Sequence, residues 1–367
     1  MTSAGARFGI VFLPESLADF GGLCREAEEA GFDLLGVADS QSVFRELYVA
    51  LAIAARDTSR IRLGPLVTNP QTRHLVVTAS AISSIDELSG GRAMLGLGSG
   101  DSAIYTLGAP PATVAGLEDA VVTLGRLTSG ALVARGAAGV AVRAEGRSPE
   151  ARAEQISGEA RAGLKWQVRR STRRVPIYLA AEGPRTLELA GRVADGVIVG
   201  LGLTPEVISV SLAAIERGAR AAGRTLEDLD IWWFAKTNVA DTREGAVAPI
   251  KMALAASANH AFRFTLEGKA VPPDLHERIR GLQKEYDAHQ HEIAGAANAD
   301  LTERWGLTEF LRDRFGIAGT PHDCVAQVRR AMAAGARQFI ITAFVPDVRA
   351  LMRRFMREVA AAVATPA

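Results

Sequence analysis

Short apolar runs alternate with longer amphipathic segments along most of the chain. Eight runs of three to seven residues have the composition of buried strands: Phe8–Leu13, Leu34–Ala38, Ile61–Val67, Ala93–Leu97, Val175–Ala180, Val197–Val199, Ile231–Ala235 and Phe339–Phe344. Four segments between them have helical spacing of apolar residues: Leu17–Ala30, Leu47–Arg56, Val76–Leu88 and Pro321–Ala334. Apolar runs that alternate with helices are typical of parallel sheets covered on both faces. Eight such units predict an α/β fold, a closed (β/α)8 TIM barrel, in preference to an open doubly wound sheet.

Two stretches interrupt this alternation. Segment 131–174 is rich in Gly, Ala and Arg, and we expect a small hairpin and a helix over the barrel mouth. Segment 262–306 is polar, and we expect a mostly helical insertion there. Such insertions often shape a pocket or a subunit contact, although a solvated excursion fits equally well. Because no linker divides the 367 residues, we expect residues 1–367 to form a single domain.

Composition narrows the classes of function. The formal net charge of +1 provides no field that would attract nucleic acid or an acidic membrane. The chain has only two cysteines, no amino-terminal signal and no apolar run of ~20 residues, so we expect a cytoplasmic protein. The sequence contains neither a metal-ligand motif nor a GxSxG nucleophile motif. We therefore expect no metal site, and an organic cofactor as the source of reactivity.

In a TIM barrel, functional groups gather where strands end and loops begin. Asp39 follows the second strand, where a carboxylate could orient a ligand, move a proton or only cap a turn. The third strand leads into Leu66, Val67 and Thr68, which two prolines and a glycine surround, and this pattern indicates an unusual chain reversal.

The loop after the fourth strand contains Gly98, Gly100 and Asp101. Glycines let the backbone approach a ligand closely, although close packing at the barrel rim would also require them. Asp101 stands where a dinucleotide-binding fingerprint starting at Gly96 would have its third glycine. We therefore expect no nicotinamide binding of the Rossmann kind.

The turn after the fifth strand is Ala181, Glu182, Gly183, Pro184 and Arg185. Glycine permits a tight turn, and proline suits the first position of a helix. The free N–H groups and positive dipole end of that helix would suit a phosphate, although a plain βα turn has the same sequence.

Lys236 ends the seventh predicted strand. A desolvated lysine there could form a Schiff base, but it could equally bind an anionic substrate or lie at the rim.

Taken together, these segments resemble the bacterial luciferase-like superfamily of flavin- and deazaflavin-dependent oxidoreductases. The resemblance covers most of the chain and is strongest in Ala38-Asp-Ser-Gln, Val67-Thr-Asn-Pro, Asp86-Glu-Leu-Ser-Gly-Gly-Arg-Ala, Gly98-Ser-Gly-Asp-Ser-Ala, Ala180-Ala-Glu-Gly-Pro-Arg-Thr and Gly319-Thr-Pro. Within the superfamily, the sequence is most similar to the branch of methylenetetrahydromethanopterin reductase, whose members use the deazaflavin coenzyme F-420.

The resemblance implies a (β/α)8 barrel, usually dimeric, with reduced F-420 or FMN in its mouth. It places Asp39 near the tricyclic ring and a non-prolyl cis peptide at Leu66–Val67, whose bulge, together with Thr68, would support the ring. Gly98, Gly100 and Asp101 match the loop beside the ring, and residues 181–185 match the phosphate-binding turn.

One departure concerns the proton donor. Several F-420 enzymes have a histidine directly after the acidic residue, where this chain has Ser40. The candidates for a proton donor are then Asp39, Asp101, Glu15 and His74, in that order.

We therefore expect hydride transfer between reduced F-420 and a small organic substrate, in a homodimer supplied by a separate flavin or deazaflavin reductase. Arg45, Arg73 and Arg185, as partners for an oligoglutamate tail, favour the deazaflavin over FMN. Three alternatives stay open: an FMNH2-dependent two-component monooxygenase, a Schiff-base aldolase or lyase using Lys236, and a flavin-binding protein without turnover.

Overall fold

A closed ring of parallel strands forms the centre of the molecule. The computed structural model describes residues 5–134, 161–164, 166, 174–287, 297–342 and 344–365. Its strands are Arg7–Phe12 (β1), Leu34–Val37 (β2), Arg62–Pro65 (β3), Leu95–Leu97 (β4), Val133–Ala134 (β5), Arg161–Ala162 (β6), Ile177–Ala181 (β7), Gly196–Val199 (β8), Asp230–Val239 (β9), Gly316–Gly319 (β10) and Gln338–Thr342 (β11). The sheet order is β3-β2-β1-β11-β9-β8-β7-β4, and bridges Leu63–Ala93 and Thr68–Leu97 close the ring between β3 and β4.

Helices alternate with most of these strands along the chain. They are Phe20–Ala30 (α1), Leu47–Asp57 (α2), Leu75–Leu88 (α3), Ser102–Tyr105 (α4), Val114–Thr128 (α5), Pro184–Val193 (α6), Pro205–Ala221 (α7), Arg243–Val247 (α8), Lys251–Phe262 (α9), His276–Glu285 (α10), Leu301–Arg304 (α11), Thr308–Phe315 (α12), Pro321–Ala333 (α13), Val348–Arg354 (α14) and Ala361–Ala364 (α15). The expected (β/α)8 TIM barrel is therefore confirmed.

Burial of the strands on both faces explains why their sequences are almost continuously apolar. One cluster of buried side chains joins the strands to the helices outside them, whereas a smaller cluster fills the barrel interior around Trp232, Tyr178 and Leu34. The adjacent tryptophans of β9 divide between the two, because successive side chains of a strand point to opposite faces. Trp232 packs inside the ring and Trp233 packs against the helices.

A polar network fills the amino-terminal end of the barrel. The carboxylate of Asp230 accepts hydrogen bonds from Arg7 at 2.7 Å, Arg62 at 2.8 Å, the Tyr178 hydroxyl at 2.7 Å and the Trp232 indole at 3.1 Å. These residues belong to β1, β3, β7 and β9, so a single carboxylate connects strands on different sides of the ring.

Two features of the sheet differ from the prediction. The seventh barrel strand extends over Asp230–Val239 rather than ending at Ala235, and Gly316–Gly319 forms a ninth strand that was not expected. β11 pairs with Trp233–Lys236 of β9, and β10 pairs with the following part, Lys236–Val239. The extension therefore exists because a second partner takes over where the first ends.

The two insertions agree with expectation as far as the structure describes them. β5 and β6 form the antiparallel pair of the expected hairpin, whereas the expected helix of segment 131–174 lies outside the described residues. Segment 262–306 is mostly helical where described, and it packs with α9 and α12 around a separate apolar cluster that includes Phe262, Leu282 and Phe315.

Among the helices in the described part of the chain, none is both long enough and apolar enough to span a membrane.

Candidate active site

A cavity of about 820 Å³ opens at the carboxyl ends of the barrel strands. Its lining comes from the loops after β2, β3, β4 and β7, from β9, and from α9 with the segment that follows it. The carboxyl end of a TIM barrel is where its active site forms. Few convergent polar groups in a mainly apolar cavity are typical of a cofactor or substrate site.

One wall of the cavity is apolar and closely packed. Leu66 and Val67, whose peptide bond is cis, line it together with Gly98. A Cβ atom on Gly98 would lie 2.9 Å from Cγ2 of Val67, and one on Gly96 would lie 2.2 Å from the carbonyl oxygen of Pro65. The glycines of this loop are therefore required because β4 lies directly against the end of β3.

Asp39 lies beside this wall in a buried ion pair. Its carboxylate accepts hydrogen bonds from Thr68 Oγ1 at 2.6 Å and from both terminal nitrogens of Arg73, at 2.6 and 3.2 Å. The side chain of Asp39 is 2% exposed, and Arg73 also binds Glu46 at 2.9 Å and lies over the Tyr48 ring. Asp39 thus accepts hydrogen bonds from three donor atoms, and its role as a proton donor stays a prediction.

The amino terminus of α6 forms another part of the wall. Pro184 occupies the first turn, and Gly183 precedes it with an extended backbone, so the predicted tight turn at Gly183 is not formed. Thr186 Oγ1 accepts a hydrogen bond from the N–H of Gly183 at 3.3 Å. The free N–H groups of the first turn and the positive end of the helix dipole would suit an anion.

Lys269 adds a buried cation beside this turn. Its side chain lines the cavity, its Nζ donates to the carbonyl oxygen of Ala261, and a Cβ on Gly183 would lie 3.7 Å from its Cε. Burial lowers the pKa of Lys269 to about 8; Glu182 opposes this shift, and three arginines reinforce it. The charge is therefore held close to the helix terminus in a partly desolvated position.

Arg314 holds the segment that carries Lys269. Its guanidinium donates to the carbonyl oxygens of Leu201 at 3.0 Å, Ala270 at 2.9 Å and Lys269 at 2.5 Å, and it lies over the ring of Phe262. Burial lowers the pKa of Arg314 to about 9. We call residues 263–270 the strap, because this segment runs from the end of α9 to the turn at residues 181–185, where Gly268 packs against Pro184.

Three ionisable side chains meet on the side of the cavity that faces α9. Nδ1 of His260 lies 2.9 Å from Oδ2 of Asp101, and Nε2 lies 2.8 Å from Oε2 of Glu182. Burial alone would lower the pKa of His260, but the charges of Glu182 and Asp101 and the close contacts of both carboxylates with the ring raise it to about 10. The contact of Nδ1 with Asp101 is an ion pair without hydrogen-bond alignment. The imidazole is thus held as a cation between two carboxylates. Arg263 approaches Oδ1 of the same aspartate at 3.3 Å.

Lys236 also lines the cavity. Its Nζ lies 5.0 Å from the ring centre of Phe234 and 5.1 Å from that of Phe344. Contacts of this kind stabilise the ammonium form. A Schiff-base nucleophile needs the neutral amine, so these contacts favour an electrostatic role for Lys236.

Comparison with known proteins identifies the family. Residues 2–338 match the family model described as luciferase-like monooxygenase. The chain belongs to the luciferase-like family. It is 32% identical over 338 residues to 5,10-methylenetetrahydromethanopterin reductase of Methanolobus tindarius, covering 91% of this chain and 93% of that protein.

Two further comparisons give the same result. The chain is 31% identical over 240 residues to the F-420-dependent glucose-6-phosphate dehydrogenase of Microbacterium testaceum, covering 60% of this chain and 62% of that protein. The solved structure of the coenzyme F-420 dependent tetrahydromethanopterin reductase of Methanopyrus kandleri superposes with a TM-score of 0.69 at 26% identity. That match covers 98% of this chain and all of that structure.

The luciferase-like fold brings most of the predicted site residues to one cavity. Asp39, Leu66, Val67, Thr68, Gly98, Gly100, Asp101, Glu182, Gly183, Pro184 and Arg185 line it. Ala181 is buried in the end of β7. Glu15 and His74 are not among the lining residues: Glu15 is exposed, and Nδ1 of His74 caps α3 by accepting from Val76. Arg73, expected to bind a coenzyme tail, is engaged by Asp39 and Glu46.

Sequence reasoning missed the contribution of α9 and the strap, which supply His260, Arg263 and Lys269. These residues follow β9 by more than twenty positions, within or beside a segment interpreted as an insertion. The available signal was their position: in a TIM barrel the segment after the seventh strand begins at the functional face.

Proposed function

We propose that this chain is an oxidoreductase that binds coenzyme F-420 in the barrel mouth and uses it for hydride transfer to or from a small organic substrate. One observation carries the proposal: a single cavity combines a closely packed apolar wall at Leu66 and Val67 with a cationic helix terminus at Gly183 and Pro184. The apolar wall suits the face of a tricyclic ring, and the helix terminus suits a phosphate. The relatives whose names mention F-420 support the same assignment.

The charges around the phosphate turn fit an anionic coenzyme. The charged groups that act on the pKa of Lys269 are the single carboxylate of Glu182, which has the largest effect among them, and the three arginines Arg263, Arg314 and Arg280. That carboxylate also pairs with the imidazolium of His260. Buried charges are normally paired, so this excess of positive charge favours an anion at the turn.

Each part of the cavity has its own role in the proposed reaction. When bound, the deazaflavin supplies the hydride-transfer chemistry. Leu66 and Val67 would hold the ring of the coenzyme through their apolar side chains, and fixing coenzyme and substrate in place would account for much of the rate advantage. Asp39 and Arg73 keep the wall rigid through their ion pair, and Asp101 holds or accepts the proton that accompanies the hydride.

The assembly and location are part of the same proposal. A separate flavin or deazaflavin reductase regenerates the reduced coenzyme, and the enzyme is a cytoplasmic homodimer. Two buried thiols, Cys24 and Cys324, which form no disulfide, support the reducing location. The exposed side chains of Val49 and Leu88 on neighbouring helices support the dimer.

Titration with F-420 and FMN, each oxidised and reduced, tests the cofactor by fluorescence quenching. We expect micromolar binding of F-420 and a weaker complex with Arg185→Gln, because Arg185 lines the phosphate turn. The matched control is Arg217→Gln, on the outer surface of α7. Binding of reduced FMN alone, accompanied by oxygen uptake, would replace the proposal by the monooxygenase. Borohydride trapping of substrate on Lys236 would replace it by the Schiff-base reaction.

A further inference from the structure

Asp101, His260 and Glu182 form a continuous chain of ionisable groups inside the cavity. They come from three separate parts of the fold: the loop after β4, the last turn of α9, and the residue after β7. Both ring nitrogens of His260 are within 2.9 Å of a carboxylate oxygen, and all three residues line the cavity. A histidine held at both nitrogens cannot turn its ring without breaking two charged contacts.

The charges that face this chain of groups leave His260 as its single proton-bearing member. Arg263, at the end of α9, approaches Asp101 from the opposite side, and Lys269 of the strap acts on Glu182. Each carboxylate therefore faces two cations, whereas the imidazole faces two carboxylates. An imidazole in such surroundings keeps its second proton well into the alkaline range.

We propose that Asp101, His260 and Glu182 act as a proton-holding triad, in which His260 is a positioning residue that supplies through Asp101 the proton accompanying hydride transfer. This inference rests on the proposed function for its reaction, but the protonation of the triad is a property of the chain alone. Several F-420 enzymes have a histidine at the position of Ser40. In this chain His260, from another part of the sequence, would take the place of that histidine.

The proton balance of one reductive turnover is simple. Asp101 passes a proton to a heteroatom of the substrate as the hydride reaches carbon, and Nδ1 of His260, 2.9 Å from Oδ2, supplies that proton to Asp101. His260 is then neutral and keeps the proton on Nε2, which Glu182 holds. The net charge of the triad has changed from −1 to −2, and uptake of one proton from water at Nδ1 restores the starting state. Oxidation runs the same steps in reverse.

Histidine NMR on the protein without coenzyme tests the triad independently of F-420. The protein has six histidines, and the signal that disappears in His260→Gln identifies the residue. We expect that signal to remain that of an imidazolium up to about pH 9 in the wild type. In Glu182→Gln, which leaves the histidine in place, we expect its titration midpoint to fall by at least about one pH unit. A titration midpoint of about 6.5 for His260 in the wild type, or an unchanged midpoint in Glu182→Gln, would overturn the inference.

Single-turnover kinetics test the catalytic part. In His260→Gln we expect the rate of reduction to fall on the order of 100-fold, with its alkaline limb moved to lower pH, while the Kd of F-420 changes far less than the rate. The matched control is His322→Gln, because His322 is exposed on α13. An unchanged rate and pH profile in His260→Gln would refute the role of the triad. If the wild type does not bind F-420, the proposed function is refuted, whereas the NMR result on the triad still stands.

Discussion

At the scale of single residues, the site depends on charges that the fold brings together from distant positions. The resemblance implies that Asp39 is a candidate proton donor, and in the structure its carboxylate accepts hydrogen bonds from Arg73 and Thr68. The position of Asp39 could be predicted, since strand ends meet at one face of a barrel. Its partners could not, because they depend on how two loops pack.

Lys269 should control recognition of the coenzyme's phosphate. Because burial lowers its pKa to about 8, the ammonium is present below that pH and is lost as the pH rises through it. We expect the affinity for F-420 to fall as the pH rises through 8, and Lys269→Met to weaken binding at pH 7 by at least ~10-fold, as for a lost charge-assisted hydrogen bond. Fluorescence titration on both sides of pH 8 measures both effects.

A coenzyme analogue without the phosphate provides the control for Lys269. It contains the same ring, so any titration of the ring affects both ligands equally. We expect its affinity to be the same in the wild type and in Lys269→Met. If the substitution weakens both ligands to the same extent, Lys269 contacts the ring or only supports the strap, and the assignment to phosphate is wrong.

At the scale of elements, the strap is the part of the site with the least regular structure of its own. Between α9 and the helical turn Pro273–Leu275, it has one non-glycine residue with positive φ, Ala270 at 49°, and its carbonyl groups at Lys269 and Ala270 bind Arg314. The buried Arg314 donates hydrogen bonds to backbone oxygens of the strap, and these bonds replace the ladder that a helix or strand would supply. The strap is therefore ordered by α12, which carries Arg314.

Replacing Arg314 should release the strap without unfolding the barrel. In Arg314→Gln we expect faster amide exchange within residues 263–270, together with weaker F-420 binding, because Lys269 loses its fixed position. Exchange becomes faster because the substitution removes three charge-assisted hydrogen bonds to backbone carbonyls, each of which contributes about 1.5–3 kcal/mol. Hydrogen exchange read by mass spectrometry measures the change. Arg330→Gln, on α13, is the control, and equal exchange in both variants would contradict this role.

The strands show which elements the sequence could predict. Runs such as Leu34–Val37 and Ile177–Ala181 are apolar on both faces, and this property predicts a buried strand directly. Gly316–Gly319 contains two glycines in four residues and gives no such signal. It becomes a strand because the second half of β9 offers it an unpaired edge. The sequence also lacks a local sign for α9 as a wall of the site, since its contacts are long-range.

At the scale of the whole molecule, eight repeats of one pattern were enough to predict the barrel. Repetition of the strand–helix unit predicts a closed barrel, and this prediction requires no knowledge of individual side-chain contacts. The separate apolar cluster of the helical insertion was not predicted, because which side chains of segment 262–306 pack together depends on the surface beneath them. Whether residues 1–367 unfold as one domain stays a prediction.

The Asp230 network should make the barrel sensitive to acid. Burial would raise the pKa of Asp230, but the charge of Arg62 and the hydrogen bonds from Tyr178, Trp232 and Arg62 lower it to about 2. A lowered carboxyl pKa stabilises the folded state above the unfolded value of about 3.9, and this contribution is lost as the pH falls towards 2. We expect Asp230→Asn to lower the free energy of unfolding at pH 7 by about 2 kcal/mol.

Denaturant unfolding at several pH values checks this expectation. The difference between the wild type and Asp230→Asn should shrink as the pH falls from about 4 to 2, because the wild type then loses the charge that the variant lacks. The control is Asp274→Asn, an exposed carboxyl outside the barrel. A difference that stays constant with pH would mean that Asp230 acts through packing and not through its charge.

The proposed dimer should use the outer face of α2 and α3. Val49 and Leu88 are 49% and 52% exposed, and with Tyr48, Ala52 and Ile53 they line a groove between these helices. Exposed apolar side chains that share a groove favour association, and a second copy of the chain would bury both faces symmetrically.

We expect Val49→Glu combined with Leu88→Glu to give a monomer in analytical ultracentrifugation, because dimerisation would then bury four carboxylates. Val210→Glu, on α7, should leave the dimer intact; a wild-type monomer at micromolar concentration, or a dimer that survives the double substitution, would exclude this face.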